Sequence, residues 1–250
     1  MQNNKIKAVI FDFGDTLISF GKVKAFEIFH KSARLTYAFL KSCGQPVGNF
    51  QIYKWHSLVS LRLQNLISYI TGRDFDSLEL LKRIGSKKGI DLNQQQWEQY
   101  VWLWYEPLSK ISKSEPDLAE TLLTIKKSGI KIGILSNSFV NDFCLEKHLG
   151  KLGVLELFDI RLYSYQFDYR KPDPRIFVAA ADKIGERLPN ILFVGDRINK
   201  DIKPTLMLDM HAVLKNAYTN AGKNLPGGAQ RITYLSELPA IIEKVNTHTA

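Results

Sequence analysis

Four short stretches of the 250-residue chain carry the side chains best suited to chemistry: Asp12-Phe13-Gly14-Asp15-Thr16, Ser136-Asn137, Arg170-Lys171-Pro172-Asp173-Pro174, and Gly195-Asp196 with Asp201 five residues on. Carboxylates and backbone oxygens are hard ligands of the kind Mg²⁺ takes, usually with several waters retained. A hydroxyl, backbone N–H groups and a lysine are the complementary set for phosphate oxygens. Brought together, the four stretches would suit a bound metal ion beside a phosphoryl group. Taken singly, each has a plainer reading. Asp12 could cap a turn, Ser136-Asn137 a helix, and Asp201 could be a first-turn acid favoured by a helix dipole.

Whether they meet depends on the elements that carry them. Ile6 to Phe11 is a short apolar run that stops at Asp12, as a buried strand would. Ile130 to Leu135 is a second such run, closed by Ser136-Asn137, and Ile191 to Val194 a third, closed by Gly195-Asp196. Helical periods lie between them, over Leu118 to Lys127, Asn141 to Leu149, Pro174 to Ile184 and Lys200 to Leu208. A further strand is predicted near Phe158 to Tyr163 and another at His211 to Leu214. A last strand and helix are predicted over Ile232 to Val245, after a loop from Asn216 to Gln230. Strands alternating with helices predict a doubly wound α/β fold with a parallel, Rossmann-like sheet. In such a sheet ligands bind at the carboxyl ends of the strands, where all four stretches fall.

Between the first two strands the pattern is helical only: Val23 to Leu40, Tyr53 to Ile70, Asp76 to Ile84 and Gln94 to Tyr105. Residues 17–114 therefore read as an inserted helical cap, and residues 1–16 with 115–250 as the α/β core. The insertion's Tyr53, Trp55, Tyr69, Trp97, Trp102, Trp104 and Tyr105 are expected mostly in the core of a small bundle.

In order and spacing, the four stretches resemble the motifs of the haloacid dehalogenase superfamily of phosphohydrolases. Ala8 to Thr16 matches the first, Ile134 to Asn137 the second, Lys171 the third, and Val194-Gly195-Asp196 through Asp201 the fourth. The helical insertion resembles that family's C1-type cap. The resemblance implies an Mg²⁺-dependent phosphatase working through an aspartyl-phosphate on Asp12. It implies that Asp12, the Gly14 carbonyl, Asp196 and Asp201 surround the metal, and that Thr16, Ser136, Asn137 and Lys171 hold the phosphoryl group. Lys171 would also neutralise charge on the nucleophile. At Gly14 the sequence departs from the family pattern, which has an aspartate whose carboxyl protonates the leaving group. Asp15, one position later, is the nearby candidate for that role. A metal-free 2-haloacid dehalogenase, which typically has tyrosine at the Gly14 position, is one alternative. A catalytically weak member binding a phosphorylated ligand or a partner protein is the other.

The formal net charge is +9, and it is concentrated: residues 17–114 hold 14 Lys/Arg against 7 Asp/Glu, and residues 17–73 hold 8 against 1. A basic face beside a cleft would concentrate a small anionic phosphorylated substrate. No stacking motif accompanies the charge, so nucleic acid is not expected. No apolar run approaches a membrane span or a secretory signal. Two cysteines, Cys43 and Cys144, form no disulfide framework, and a cytoplasmic location is expected.

Overall fold

Ala8-Val9-Ile10-Phe11 forms strand β1 (Ala8–Phe11), with all four residues buried. In the computed structural model, which describes residues 5–247, the chain leaves β1 through a two-residue strand, β2 (Ile18–Ser19). Four helices follow: α1 (Ala25–Ser42), α2 (Phe50–Thr71), α3 (Ser77–Ser86) and α4 (Gln94–Ile111). A second two-residue strand, β3 (Lys113–Ser114), pairs antiparallel with β2, so a narrow ribbon joins the helices to the rest. The remainder alternates: α5 (Leu118–Lys127), β4 (Lys131–Ser136), α6 (Asp142–Lys151), β5 (Ile160–Tyr163), α7 (Pro174–Ile184) and β6 (Ile191–Gly195). Then come α8 (Lys203–Met207), β7 (His211–Lys215), β8 (Ala229–Ile232) and α9 (Leu238–Thr247).

The six longer strands form one parallel sheet in the order β5-β4-β1-β6-β7-β8. From β1 the chain steps outward to β5 on one side, then crosses to β6 and steps outward on the other. That is a doubly wound sheet, with its reversal between β1 and β6. Side-chain alternation shows how both faces are covered. Val9, Phe11, Leu192 and Val194 pack with Leu122, Ile125 and Leu145 of α5 and α6. Ala8, Ile10, Ile191 and Phe193 pack with Ile176, Phe177 and Ala180 of α7 on the other face.

Among the inserted helices, side-chain caps mark three of the starts. Asn49, Asp76 and Asn93 each accept from a backbone N–H of the first turn, and Gln96 returns a bond to complete a capping box at α4. The sequence-based boundaries differ from the structure at several points. Strands β2 and β3 were not predicted, because two residues are too few to show a period. Helix α4 continues past Tyr105 to Ile111 through Pro107, which is itself buried; packing there overrides the missing N–H. The segment predicted as one helix from Lys200 opens instead with a π-helical turn over Ile198–Ile202 before α8. Strand β8 begins inside the predicted loop. Of the seven aromatic residues expected in a bundle core, Trp55 and Tyr69 are exposed and Trp104 is half-buried, while the other four are buried.

Candidate active site

The carboxyl ends of the central strands deliver the predicted side chains to one place. Asp12 follows β1, and its backbone N–H continues the ladder by donating to the Val194 carbonyl (2.9 Å). Ser136 closes β4, and Asp196 follows β6. Lys171 comes from the loop between β5 and α7 and is 2% exposed. Its Nζ lies 2.9 Å from Asp12 Oδ1 and 2.8 Å from Asp201 Oδ1, and donates to the Leu135 carbonyl at 3.0 Å. One carboxylate oxygen from each of Asp12, Asp196 and Asp201 lies within 4.8 Å of the others.

The π-helical turn explains how Asp201 reaches this cluster. Asp201 N–H donates to the Arg197 carbonyl, and Arg197 N–H donates back to Asp201 Oδ2, both at 2.8 Å. This turn folds Asp201 under the end of β6 so closely that a Cβ on Gly195 would come within 2.5 Å of Asp201 Cβ. Only glycine fits at 195 without a shift. Such turns concentrate at functional sites.

Three buried carboxylates meet one buried ammonium. Burial works against the charge on Lys171, but Asp12 and Asp201 outweigh it and hold its pKa above the ordinary lysine value. Burial, and then the neighbouring Asp12, push the Asp196 carboxyl up to about 7. Arg197 Nε lies 3.2 Å from Asp196 Oδ2, from a half-exposed side chain. Against the buried Lys171 alone the three carboxylates are short of two positive charges, and the half-exposed Arg197 offsets part of this; the donors are all oxygen, the set that Mg²⁺ takes. The residues present fit that ion.

The remaining predicted residues take distinct places. Asn137 clamps the lysine loop: its Oδ1 accepts from the Lys171 N–H and its Nδ2 donates to the Lys171 carbonyl, both at 2.8 Å. Both ends of its amide thus face the protein backbone. Thr16 is buried, and its hydroxyl has no hydrogen-bond partner among the described residues. Gly14 bridges to Ile18 in the turn after β1. Asp15 occupies the left-handed region at φ 57°, and its Oδ1 accepts from the N–H groups of Phe20 (3.1 Å) and Gly21 (3.4 Å). The structure gives this carboxylate the task of holding the turn into β2.

Several bracing residues lie outside the four motif stretches. Thr219 donates its hydroxyl to Asp196 Oδ2, and Asn220 Nδ2 donates to the carbonyls of Asp196 (2.9 Å) and Lys215 (2.8 Å). Both lie just past the carboxyl end of β7, a position that could have flagged them. Asp74, between α2 and α3, accepts from Arg170 Nη1 (2.7 Å), Ser68 Oγ (2.7 Å) and the Ser164 hydroxyl. It ties the inserted helices to the loop that carries Lys171.

A family model described as haloacid dehalogenase-like hydrolase matches residues 6–204. A glyceraldehyde 3-phosphate phosphatase of Methanopyrus kandleri is 27% identical over 202 residues, covering 79% of this chain and 78% of its own. A 2-haloacid dehalogenase from Pseudomonas syringae pv. Tomato DC3000 superposes with a TM-score of 0.64 at 20% identity, over 96% of this chain and 99% of that one. A haloacid dehalogenase-type phosphatase from Thermococcus onnurineus superposes with a TM-score of 0.59 at 21% identity, over 95% and 98%. At such identities the two structures speak to the fold alone. No described helix is long and apolar enough to cross a membrane.

Proposed function

The chain belongs to the haloacid dehalogenase-like hydrolases, and on that premise we propose that it is an Mg²⁺-dependent, cytoplasmic phosphatase of a small phosphorylated metabolite, working through an aspartyl-phosphate on Asp12. The observation that carries this reading is the bridge of Lys171 Nζ between Asp12 Oδ1 and Asp201 Oδ1, beside Asp196, in a buried cluster short of positive charge. Phosphatases among the relatives support the reaction class, and the free thiols of Cys43 and Cys144 support a reducing compartment.

In this reading a carboxylate oxygen of Asp12 attacks phosphorus, the bond to the leaving oxygen breaks, and water then hydrolyses the acyl phosphate. Lys171 holds Asp12 oriented and offsets charge on the nucleophile and the phosphoryl oxygens. Asn137 fixes the lysine by its backbone. The hydroxyls of Ser136 and Thr16 serve the phosphoryl oxygens, and Thr219 steadies Asp196. Asp12, Asp196 and the Gly14 carbonyl, with Asp201 behind them, would hold Mg²⁺, which when bound would supply the missing positive charge. The inserted helices act as the cap, latched through Asp74. Such a site works by positioning and electrostatics.

Gly14 has no carboxyl for the leaving group, and one oxygen of the Asp15 carboxylate holds the Phe20 and Gly21 amides. Substrates whose leaving group needs no proton, acyl phosphates above all, are then turned over best, and alkyl esters slowly. Glyceraldehyde 3-phosphate, the substrate in the Methanopyrus relative's name, is the alkyl ester to test first. Phosphate release should be followed across acyl phosphates, sugar phosphates and nucleotides, with and without Mg²⁺, beside Asp12→Asn. Release that requires Mg²⁺ and disappears in a folded Asp12→Asn protein is expected. Undiminished turnover by Asp12→Asn would sink the proposal, and metal-free halide release from a 2-haloacid would replace it with the dehalogenase reading.

A further inference from the structure

The turn that brings Asp201 into the cluster also carries two cations on its outer side. Arg197 opens the turn and Lys200 precedes Asp201, and both side chains are exposed. Arg197 Nε lies 3.2 Å from Asp196 Oδ2, but neither terminal nitrogen of the guanidinium donates a hydrogen bond to a described residue. Lys200 makes no hydrogen bond or ion pair among the described residues. Its neighbour Asp201 turns its oxygens inward, to Lys171 Nζ and to the Arg197 N–H, at 2.8 Å each. Partial burial, and then the charges of Arg170 and Arg197, hold the Lys200 ammonium below the ordinary lysine pKa. Cations crowded in this way repel one another, and no contact within the chain compensates them.

The neighbouring carboxylates do not relieve the crowding. Asp74 is held by Arg170 at 2.7 Å and Asp168 by Arg73 at 3.3 Å. The interior of the cluster has its own cation in Lys171, between Asp12 and Asp201. Uncompensated charge on the rim of a cleft concentrates ligands of opposite sign. In an in-line displacement the leaving group departs on the side away from the nucleophile. Asp12 is buried at the end of β1, so the leaving group points outward. Arg197 and Lys200 are the exposed cations on that outer side.

We propose, resting on the phosphatase reading above, that Arg197 and Lys200 form a second anion subsite. The substrate then carries a carboxylate or a further phosphate on its leaving group, besides the phosphoryl group that Asp12 takes. Arg197 offers a planar fork that pairs with two oxygens of one oxyanion, and Lys200 a compact charge beside it. The second anion is held alike before and during the reaction, so the subsite acts on binding more than on kcat.

Inhibition of Mg²⁺-dependent acetyl phosphate hydrolysis by the full chain tests this. 3-Phosphoglycerate and glycerol 3-phosphate differ by a carboxylate against a hydroxymethyl group, so the ratio of their inhibition constants isolates the second anion. 3-Phosphoglycerate is expected to bind about 10-fold tighter or more. Lys200→Gln should remove most of that preference, and Lys200→Arg, which keeps the charge, should retain it. Lys183→Gln removes an equal charge from the exposed end of α7, at the amino ends of the strands, and should leave the preference intact. Equal inhibition of the wild-type enzyme by the two compounds overturns the proposal while the phosphatase reading stands. So does a preference that survives Lys200→Gln. An equal loss in Lys183→Gln would assign the preference to the net charge of the chain, which overturns the subsite as well. Absence of phosphate release from acetyl phosphate and from every other phosphorylated compound tried would remove the reading and the subsite together.

Discussion

If the proposed function holds, Gly14→Asp should widen the range of phosphate esters that the enzyme turns over. A Cβ at Gly14 meets Phe20 Cε2 at 3.6 Å and Cδ2 at 3.8 Å, which is ordinary van der Waals contact. The left-handed backbone of this turn falls on Asp15, not on Gly14, so a side chain enters at 14 without backbone strain. A positioned general acid contributes roughly 10²–10⁴-fold, or about 2.7–5.5 kcal/mol of barrier. The lower end is the reasonable expectation, because no neighbouring group has been shaped to hold the new carboxyl. Assayed with Mg²⁺, kcat/KM for glyceraldehyde 3-phosphate should rise by about 10²-fold. Acetyl phosphate, whose leaving carboxylate needs no proton, should change little. Gly14→Asn is the shape-matched control and should gain nothing. A similar gain on both substrates, or a gain with asparagine, would show that the effect comes from rigidity or binding. No gain in a variant that stays folded and Mg²⁺-dependent would refute the account of Gly14.

Two further outcomes follow from the surroundings of the site. Asp74→Asn keeps the shape of the latch but removes its charge, and should cost about 1–3 kcal/mol in urea unfolding; Arg170→Ala should cost a similar amount, and the two losses should not add. Additive losses would mean that the two residues act separately. His148, bonded to Tyr105 and Ser112, is held down to about 4 by burial and then by Lys151. The unfolded chain therefore takes up the extra proton first as pH falls below about 6.5, and stability declines toward pH 4. Urea unfolding at pH 7.5 and 5.0 should show His148 contributing about 2 kcal/mol to that decline, a component absent from His148→Gln; identical slopes would exclude His148 as its source.

The sheet was readable because its strands are buried on both faces and announce themselves as short apolar runs with polar stops. Ile10-Phe11-Asp12, Leu135-Ser136 and Val194-Gly195-Asp196 each mark where a strand ends and where its site residue stands. Parallel strands joined by helices then leave few topologies, and all of these put the strand ends on one edge. What holds those side chains in place was less readable. Asn137 and Lys171 clamp each other across 34 positions, and Thr219 reaches Asp196 across 23; only the folded chain brings such pairs together. Asp15 illustrates a finer limit. That its Oδ1 would accept from the Phe20 and Gly21 amides depends on the left-handed turn at Asp15 itself, which a composition of Gly-Asp-Thr does not announce.

Helix α2 marks a different boundary between pattern and structure. Apolar residues at spacings of 3 and 4 say that one side of the helix is to be kept from water, and they place Ile52, Trp55, Val59 and Leu63 on that side. They do not say what keeps the water out. Four helices in succession suggest a bundle, and a bundle suggests that the apolar sides turn inward. Yet Tyr53 and Leu58 sit on the inner side of α2, while the longer stripe faces outward. Tyr53 explains the preference. Its hydroxyl bonds to Thr36 and Tyr100 at 2.8 Å each, inside the insertion, and turning the stripe inward would break both bonds and carry that phenol outward. A buried polar network fixes the helix rotation at the expense of its apolar face.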